Sequence, residues 1–316
     1  MILVSVCMPT YNQECFIEKA IKGVLMQKDC HLELIIANDC STDSTQEICN
    51  RYQQIYPSTI KIINQEHNKG VVENTKDGLL ACKGKYIAIC EGDDYWIDEY
   101  KLKNQIDCLE SNNNVSLVHT NWINYFQDSN EFIERKMIFK NEYISEKECG
   151  NISVLTILNN EYRGIRFSSI CFRRESLLKA SNRGIDIFKP EFPTVDLSIF
   201  LYLAHEGLLL YLPQSTTVYR IQSESVSISS DTSKRIKFAM GCERINIYYI
   251  KTFEIQPPKE MKTKIISHML NINYIRYNSE FLREILSFAR FMNYKMNTRQ
   301  FLSILFQKLR YTLINK

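Results

Sequence analysis

Three carboxylate side chains occur within four residues at the end of an apolar run. The run covers residues 86–90 and reads as a buried strand, and Glu91, Asp93 and Asp94 follow it directly. Like charges this close repel one another, and carboxylates at the edge of a core cost desolvation free energy unless another group compensates them. A bound cation would compensate them, and exposure on a loop would also relieve the cost. The segment therefore indicates either a cation site or an exposed loop.

Polar residues also follow the three preceding predicted strands. They are Pro9, Thr10, Tyr11 and Asn12 after residues 2–8, Asn38 and Asp39 after residues 32–37, and Asn68, Lys69 and Gly70 after residues 60–63. Ligands of open α/β sheets bind at the carboxyl ends of the strands. We therefore expect the four polar clusters to converge in one cleft.

Helical patterns separate these strands, so the first third of the chain alternates between strands and helices. Helices are predicted at residues 14–27, from about Ser44, at residues 70–82 and at residues 101–110, and Ser44 with Glu47 matches a capping box. Continuous apolar strands in such an alternation predict a parallel α/β sheet that helices cover on both faces.

The remainder of the chain is less regular. Strands are predicted at residues 115–120, 167–172, 208–212 and 216–220, and a helix at residues 194–205. From Thr232 onward the pattern is helix after helix. Residues 285–316 contain six Lys and Arg and no Asp or Glu.

Composition and missing motifs exclude several classes of protein. The chain has 316 residues, 45% of them hydrophobic, and a net charge of +3 that does not suggest nucleic-acid binding. Its 11 cysteines form no CxxC pair and predict a reduced, cytoplasmic protein. Neither a signal peptide nor an apolar run of about 18 residues is apparent. The absence of GxGxxG, GxxxxGK[ST], HExxH and GxSxG disfavours dinucleotide-dependent dehydrogenases, P-loop enzymes, zincins and α/β-hydrolases.

Three segments together resemble family 2 glycosyltransferases of the GT-A fold. They are VSVCMPTYNQECFIEKAIKGVLMQ, ELIIANDCSTDST and NKGVVENTKDGLLACKGKYIAICEGDDYW, within residues 3–110. A weaker resemblance to the acceptor half of bacterial members continues in FSSICFRRE, PTVDLSIFLYLAHEGLLLYLP and VYRIQSESVS. The resemblance implies a Rossmann-like mixed sheet flanked by helices. It divides the chain into a glycosyltransferase domain, residues 1–230, with a nucleotide-sugar half (1–110) and an acceptor half (111–230), and a C-terminal helical region, residues 231–316.

The resemblance assigns the nucleotide to the first three polar clusters. The corresponding positions here are Pro9, Thr10, Tyr11, Asn12, Asp39, Asn68, Lys69 and Gly70. Thr10 and Tyr11 are expected near the base, and Asp39 matches the Asp that accepts a hydrogen bond from the base, usually uracil. The last three residues resemble the segment that lines the base and the ribose.

The same resemblance assigns the chemistry to the acidic segment and to two later residues. Glu91, Gly92 and Asp93 fall on the DxD-type positions, where Asp93 is expected to bind Mn²⁺ or Mg²⁺ and Glu91 to face the ribose or act through water. Asp196 falls near the acidic catalytic base of relatives. Arg220 lies in a segment resembling the one that closes over the diphosphate.

The implied activity is inverting transfer of a hexosyl or N-acetylhexosaminyl group from a nucleoside diphosphate sugar. Negative charge grows on the departing diphosphate, and a hard divalent cation with one or two carboxylate ligands stabilises it. A positioned carboxylate takes the proton of the attacking hydroxyl. The expected partners are a UDP-sugar and a glycan or lipid-linked acceptor, with no nucleic acid, and an oligomer is left open.

Simpler structural roles compete with several of these assignments. Asp39 could orient its own turn through side-chain to backbone bonds. Asp94 could be a second metal ligand, but bonding to the backbone that shapes the turn is favoured. Tyr95 and Trp96 could stack on a sugar, but packing is favoured. Asp196 could be a charge that the helix dipole favours.

Two basic segments and the functional class also leave alternatives. The cluster of Arg163, Arg166, Arg173 and Arg174 is either solvated surface or contacts a diphosphate. Residues 301–316 predict a basic amphipathic helix that lies on an anionic membrane surface at the inner face of the cell membrane, docks on its own domain, or binds a second subunit. The rival classes are a non-catalytic nucleotide- or glycan-binding module and a nucleotidyltransferase.

Overall fold

The computed structural model describes residues 3–134, 151–158, 165–222 and 231–314. It divides into two compact units. Unit 1 comprises Met1–Pro190 with Thr194–Gln222, and unit 2 comprises Glu191–Pro193 with Ser223–Lys316.

A mixed sheet forms the centre of unit 1. Its strands are β1 (Leu3–Thr10), β2 (His31–Asn38), β3 (Ile60–Asn64), β4 (Tyr86–Ile89), β5 (Tyr95–Trp96), β6 (Val115–Phe126), β7 (Glu131–Glu134), β8 (Ile170–Arg173) and β9 (Leu208–Ile221). The order is β3-β2-β1-β4-β8-β6-β9-β5, and β7 pairs with β6. The first four strands of this order are parallel, β8 is antiparallel to β4 and β6, and β9 runs parallel to β6.

Helices cover both faces of the parallel strands. Those of unit 1 are α1 (Ile17–Leu25), α2 (Thr45–Ile55), α3 (Val71–Ala81), α4 (Lys101–Ser111), α5 (Asn151–Leu158), α6 (Arg174–Asn182) and α7 (Asp196–Glu206). Val4, Val6 and Met8 of β1 belong to a buried cluster with Ile21 of α1. The opposite face of β1 is also buried, and α3 packs against it. This double burial explains the continuous apolar character of the strand.

Unit 2 is helical in its described part. Its helices are α8 (Thr232–Thr252), α9 (Lys259–Ile275), α10 (Ser279–Phe291) and α11 (Thr298–Ile314). Asp231 caps α8, since its Oδ1 accepts the backbone N–H groups of Ser233 and Lys234 at 2.7 and 3.3 Å. Among the helices that the structure describes, none is long and apolar enough to cross a membrane.

The structure corrects several predicted elements. The capping box was wrong, because the Ser44 side chain makes no capping hydrogen bond. Asp43 Oδ1 instead accepts the N–H of Thr45 at 3.0 Å. The predicted strand at residues 167–172 begins as a 3-10 helix, Phe167–Ser169, before β8. The two strands predicted at residues 208–212 and 216–220 are the single strand β9.

Candidate functional site

The polar strand ends of unit 1 meet at one edge of the sheet, as predicted. The N–H of Asp39, after β2, donates to the Thr10 carbonyl at the end of β1 at 3.0 Å. The N–H of Gly92, after β4, donates to the Pro9 carbonyl at 3.2 Å. The end of β1 therefore lies between the β2 loop and the acidic turn, which we define as residues 91–94.

Asp39 holds the loop between β3 and α3. Its Oδ1 accepts the N–H of Lys69 at 2.7 Å and its Oδ2 accepts the N–H of Gly70 at 2.9 Å. The Asn68 side chain also donates to the Asp39 carbonyl at 3.4 Å. Gly70 has a φ of 85°, a left-handed backbone that favours glycine. Asp39 thus orders the segment predicted to line the base and ribose, rather than its own turn alone.

The segment after β1 presents one exposed aromatic ring. Tyr11 is 44% exposed, while Thr10 is buried and donates its hydroxyl to Gln13 Oε1 at 2.5 Å. Asn12 adopts a φ of 50° and its Oδ1 accepts the N–H of Thr42 at 2.8 Å. These bonds fix the neighbours of Tyr11, and because its ring is exposed it is available to stack on a flat ligand.

Contacts from residues far along the chain hold the acidic turn. The Glu91 N–H donates to Ser168 Oγ at 3.0 Å, and this hydroxyl lies 3.4 Å from Glu91 Oε2. Asp94 is buried, and its Oδ1 accepts the backbone N–H of Arg220 in β9 at 2.9 Å. Asp94 Oδ2 is buried without a hydrogen-bond partner among the described residues. Asp94 therefore hydrogen-bonds to the backbone, as predicted. The backbone group belongs to the distant strand β9, however, and not to the turn itself.

Burial raises the pKa values of all three carboxylates of the acidic turn. Burial raises the pKa of Glu91, and the charges of Asp94, Asp93 and Asp196 raise it further. Burial and the charge of Asp93 raise the pKa of Asp94 to about 8. The pKa of Asp93 is also raised by burial, against the opposing charge of Arg220. A cation bound here would offset the repulsion that these carboxylates exert on one another.

Asp196 is the first residue of α7, and its charge acts on Glu91. Its Oδ1 accepts the Thr194 hydroxyl at 2.5 Å and the N–H of Leu197 at 2.6 Å. The side chain is half-buried. Asp196 therefore lies within electrostatic range of Glu91, at the N-terminus of a helix, where a negative charge is favourable.

Arg220 supports the acidic turn. The side chain is buried, and its Nε donates to the Asp93 carbonyl at 2.8 Å. A second nitrogen donates to Gln127, and the guanidinium lies 4.3 Å from the Phe16 ring centroid. These contacts fix the Asp93 backbone, so Arg220 supports the acidic turn, and its role at the diphosphate stays a prediction.

The structure adds residues that the sequence did not single out for this site. Ser168 holds Glu91, and the hydrogen bond spans 77 residues of chain. Arg166 lies 4.1 Å from the Tyr219 ring centroid and 5.1 Å from that of Trp122, and its charge partly opposes the rise in the pKa of Asp94. Arg166 belongs to the predicted basic cluster, which was the one available signal.

The other members of that basic cluster differ from Arg166. Arg173 donates to the carbonyls of Val115, Leu109 and Asn112, so its contacts are structural. Arg163 lies outside the described residues. Tyr95 and Trp96 are both buried, which confirms the preference for packing.

The donor set of the acidic turn fits a hard divalent cation. Within the described ranges, no three His, Cys, Asp or Glu side chains converge on a point that could hold a metal. Mg²⁺ commonly takes only one or two protein carboxylates and completes its coordination with phosphate oxygens and water. The unpartnered Asp94 Oδ2 and the raised pKa values of Glu91 and Asp93 agree with a metal site whose remaining coordination positions a diphosphate would fill.

The mixed sheet, with polar loops beside an acidic turn at one edge, defines a GT-A type α/β domain. Residues 5–173 match the family model "Glycosyl transferase family 2", and the chain belongs to this family. The predicted family and fold class are therefore confirmed.

Relatives and solved structures agree with this assignment. An uncharacterised Mycobacterium bovis protein is 29% identical over 72% of this chain and 61% of its own length, so the chain spans less than two thirds of that relative. The Escherichia coli enzyme WfaP, a UDP-Glc:α-D-GlcNAc-diphosphoundecaprenol β-1,3-glucosyltransferase, is 28% identical over 72% of this chain and 80% of its own. The structure of Staphylococcus aureus TarS 1–349 with UDP-GlcNAc has a TM-score of 0.62 and 17% identity, covering 92% of this chain and 80% of that one. The likeness to TarS shows the fold.

Proposed function

We propose that the chain is an inverting, metal-dependent glycosyltransferase that uses a nucleoside diphosphate sugar, with UDP as the nucleotide. The acceptor is a hydroxyl of a glycan or lipid-linked saccharide in the synthesis of a cell-surface polysaccharide. The observation that carries the proposal is the placement of the loop held by Asp39 and the turn of Glu91, Asp93 and Asp94 on either side of the β1 end. The names of WfaP and of the TarS complex support the class of donor and acceptor.

In this proposal the nucleotide lies across the ends of β1, β2 and β3. The exposed Tyr11 ring stacks on the base, and Asp39 faces the base while it holds the loop of Lys69 and Gly70. Pro9, Thr10, Asn12 and Asn68 complete the pocket. A buried carboxylate that already accepts two N–H bonds keeps free lone pairs for a third donor from the base.

The diphosphate lies at the acidic turn. Asp93 holds Mn²⁺ or Mg²⁺, which when bound neutralises charge on the departing diphosphate. Glu91 faces the ribose or acts through water, and Gly92 lets the turn close on β1, since a Cβ there would lie 2.8 Å from Thr10 Oγ1. Arg220 fixes the Asp93 backbone and adds positive charge on the diphosphate side.

Transfer requires one base and no enzyme nucleophile. The acceptor oxygen forms a bond to the anomeric carbon while the bond from that carbon to the diphosphate oxygen breaks. The electron pair leaves with the diphosphate, and the acceptor proton passes to Asp196. Because the displacement is direct, the configuration at the anomeric carbon inverts.

We propose that the chain divides into regions with separate roles in this reaction. Residues 1–110 bind the nucleotide sugar and residues 111–230 form the acceptor half, with residues 231–316 as a helical region. The enzyme would act in the cytoplasm, at the inner face of the cell membrane where lipid-linked acceptors are extended.

The test is a panel of nucleotide sugars offered to the purified chain with Mn²⁺ or Mg²⁺. We expect release of UDP from at least one UDP-sugar, lost on chelation and reduced at least about a hundredfold by Asp93→Asn. The matched control is Asp107→Asn, an exposed carboxylate on α4 that pairs with Lys103 and should leave turnover unchanged.

Two results would support the rival classes instead. Saturable, metal-independent nucleotide binding without turnover of any donor, even with acceptor extracts, would indicate a binding module. Release of pyrophosphate from a nucleoside triphosphate and a sugar phosphate would indicate a nucleotidyltransferase. Either result would overturn the proposal.

A further inference from the structure

Helix α11 has an inverted distribution of polar and apolar side chains. Its buried positions include Gln300 and Gln307, which are 4% and 2% exposed. Five of its large apolar side chains are between 47% and 63% exposed, while Ile304 is buried; the five, which we call the α11 stripe, are Phe301, Leu302, Leu305, Phe306 and Leu309. A surface helix normally buries its apolar side and exposes its polar side. This reversal indicates that something other than unit 2 covers the stripe.

Specific hydrogen bonds fix the orientation of α11. The Gln307 amide donates to the Leu270 carbonyl at 3.1 Å and accepts from the Asn273 amide at 2.7 Å. The Gln300 amide donates to the Ser267 hydroxyl at 3.0 Å. All three partners lie on α9. Turning the stripe inward would break these bonds and leave buried amide groups without partners, which is unfavourable. The stripe is therefore an exposed surface held in place by the polar side of its own helix.

The stripe continues onto the end of α9. Tyr274 stacks on Phe306 with a centroid distance of 6.2 Å, and Ile275 is 62% exposed. Contiguous exposed apolar surface of this kind marks a contact with a membrane or another protein.

Positive charge borders the stripe on both sides. At about 3.6 residues per turn, Lys308 lies at one edge, and Arg299 and Arg310 lie at the other. All three are exposed. No Asp or Glu occurs from residue 285 to residue 316. An apolar surface between two rows of cations matches the acyl boundary and headgroups of an anionic lipid surface.

The same charges argue against self-association through this helix. If two copies paired their stripes, Lys308 and Arg310 of each copy would face cations, and α11 has no acidic residue to neutralise them. We propose that the α11 stripe binds an anionic membrane surface, with its apolar side chains in the acyl boundary and its flanking cations at the headgroups. This attachment would place the chain where the lipid-linked acceptor resides. Only this connection to the acceptor, and not the membrane binding itself, rests on the proposed function.

The experiment is flotation of the full chain with vesicles of phosphatidylcholine alone or mixed with phosphatidylglycerol. We expect binding to the mixed vesicles that weakens as salt rises. Leu305→Gln combined with Leu309→Gln should weaken it at least about tenfold, because the apolar contacts are lost. Lys308→Gln combined with Arg310→Gln should weaken it by about thirtyfold.

Matched controls use residues of the same type and exposure elsewhere. Leu80→Gln with Leu178→Gln changes two exposed leucines of unit 1, and Lys234→Gln with Lys237→Gln removes the same charge from α8. Neither pair should change vesicle binding. Donor hydrolysis without lipid should be equal in all variants, so a failure of membrane binding is distinguishable from a failure of the catalytic proposal.

Three outcomes would overturn the membrane proposal. The first is absence of binding of the full chain to the mixed vesicles. The second is equal weakening by the control pairs. The third is a dimer, seen by light scattering without lipid, that the Leu305 and Leu309 substitutions convert to monomers while vesicle binding is absent.

Discussion

A hydrogen bond of 2.9 Å joins the Asp94 side chain to the backbone of Arg220, which lies 126 residues further along the chain. The N–H of Arg220 donates to Asp94 Oδ1, and the Arg220 side chain reaches back to the Asp93 carbonyl. The strand β9 thereby fixes both the buried carboxylate and the backbone of its neighbour. The geometry of the acidic turn consequently depends on a residue that is more than a hundred positions away in the chain.

Replacing Arg220 by Lys should loosen this turn. The main-chain bond to Asp94 remains, but a single ammonium cannot reproduce the bonds to both the Asp93 carbonyl and Gln127. We expect the free energy of unfolding in urea to fall by about 1–3 kcal/mol and donor turnover to fall at least about tenfold. Arg173→Lys is the control, because this side chain also donates to backbone carbonyls, at the Tyr86 end of β4. Turnover reduced equally in both variants would show only a loss of stability.

Much of the site could be predicted because its first half is local in sequence. Each of the apolar runs of β1, β2 and β4 stops where a polar cluster begins, and parallel strands bring such ends together. The contacts of Ser168 and Arg220 could not be predicted in this way, because they depend on antiparallel and late strands. The strand β5 has two residues, which is too short for a periodic pattern.

Ser168→Ala tests whether the hydroxyl that contacts Glu91 positions it for the reaction. The variant leaves the Glu91 N–H without its partner at 3.0 Å, so we expect donor turnover to fall about tenfold with a loss of about 1–2 kcal/mol in stability. Ser116→Ala is the matched control, since its buried hydroxyl donates to the Leu203 carbonyl at 2.7 Å in another part of the sheet. If both variants lose stability but neither loses turnover, the positioning role of Ser168 is wrong.

Asp39→Asn should weaken nucleotide binding by disordering the loop between β3 and α3, which contains Lys69 and Gly70. An amide cannot accept both the Lys69 and Gly70 N–H groups, because one of its two terminal atoms is itself a donor. Calorimetry with UDP should show an affinity at least about tenfold lower. Asp77→Asn is the control, because Asp77 contacts the Lys69 side chain and leaves the two N–H groups untouched. Unchanged UDP affinity in Asp39→Asn would contradict this role.

His119 should contribute a part of the stability of the chain that is lost in mild acid. Burial lowers the pKa of His119 from 6.5 to about 3, so between these values the unfolded chain binds a proton that the folded chain does not. This contribution is fully present above pH 6.5 and is lost as the pH falls toward 3, by up to about 1.4 kcal/mol per pH unit. Plots of the free energy of unfolding in urea against pH should have a less positive slope for His119→Gln than for the unmodified chain, whereas His67→Gln, at an exposed site, should keep the slope of the unmodified chain. Equal slopes in all three proteins would refute the assignment.

Asp196→Asn separates catalysis from binding. The amide oxygen can still accept from Thr194 and Leu197, so the start of α7 should remain intact. It cannot take the proton of the acceptor hydroxyl, and we expect the rate constant of transfer to fall by about 10²–10⁴-fold. The affinity for the donor should change by less than about threefold, since the substitution removes an interaction of the transition state. Full transfer activity in this variant would show that Asp196 is a helix-terminal charge and that another group accepts the proton.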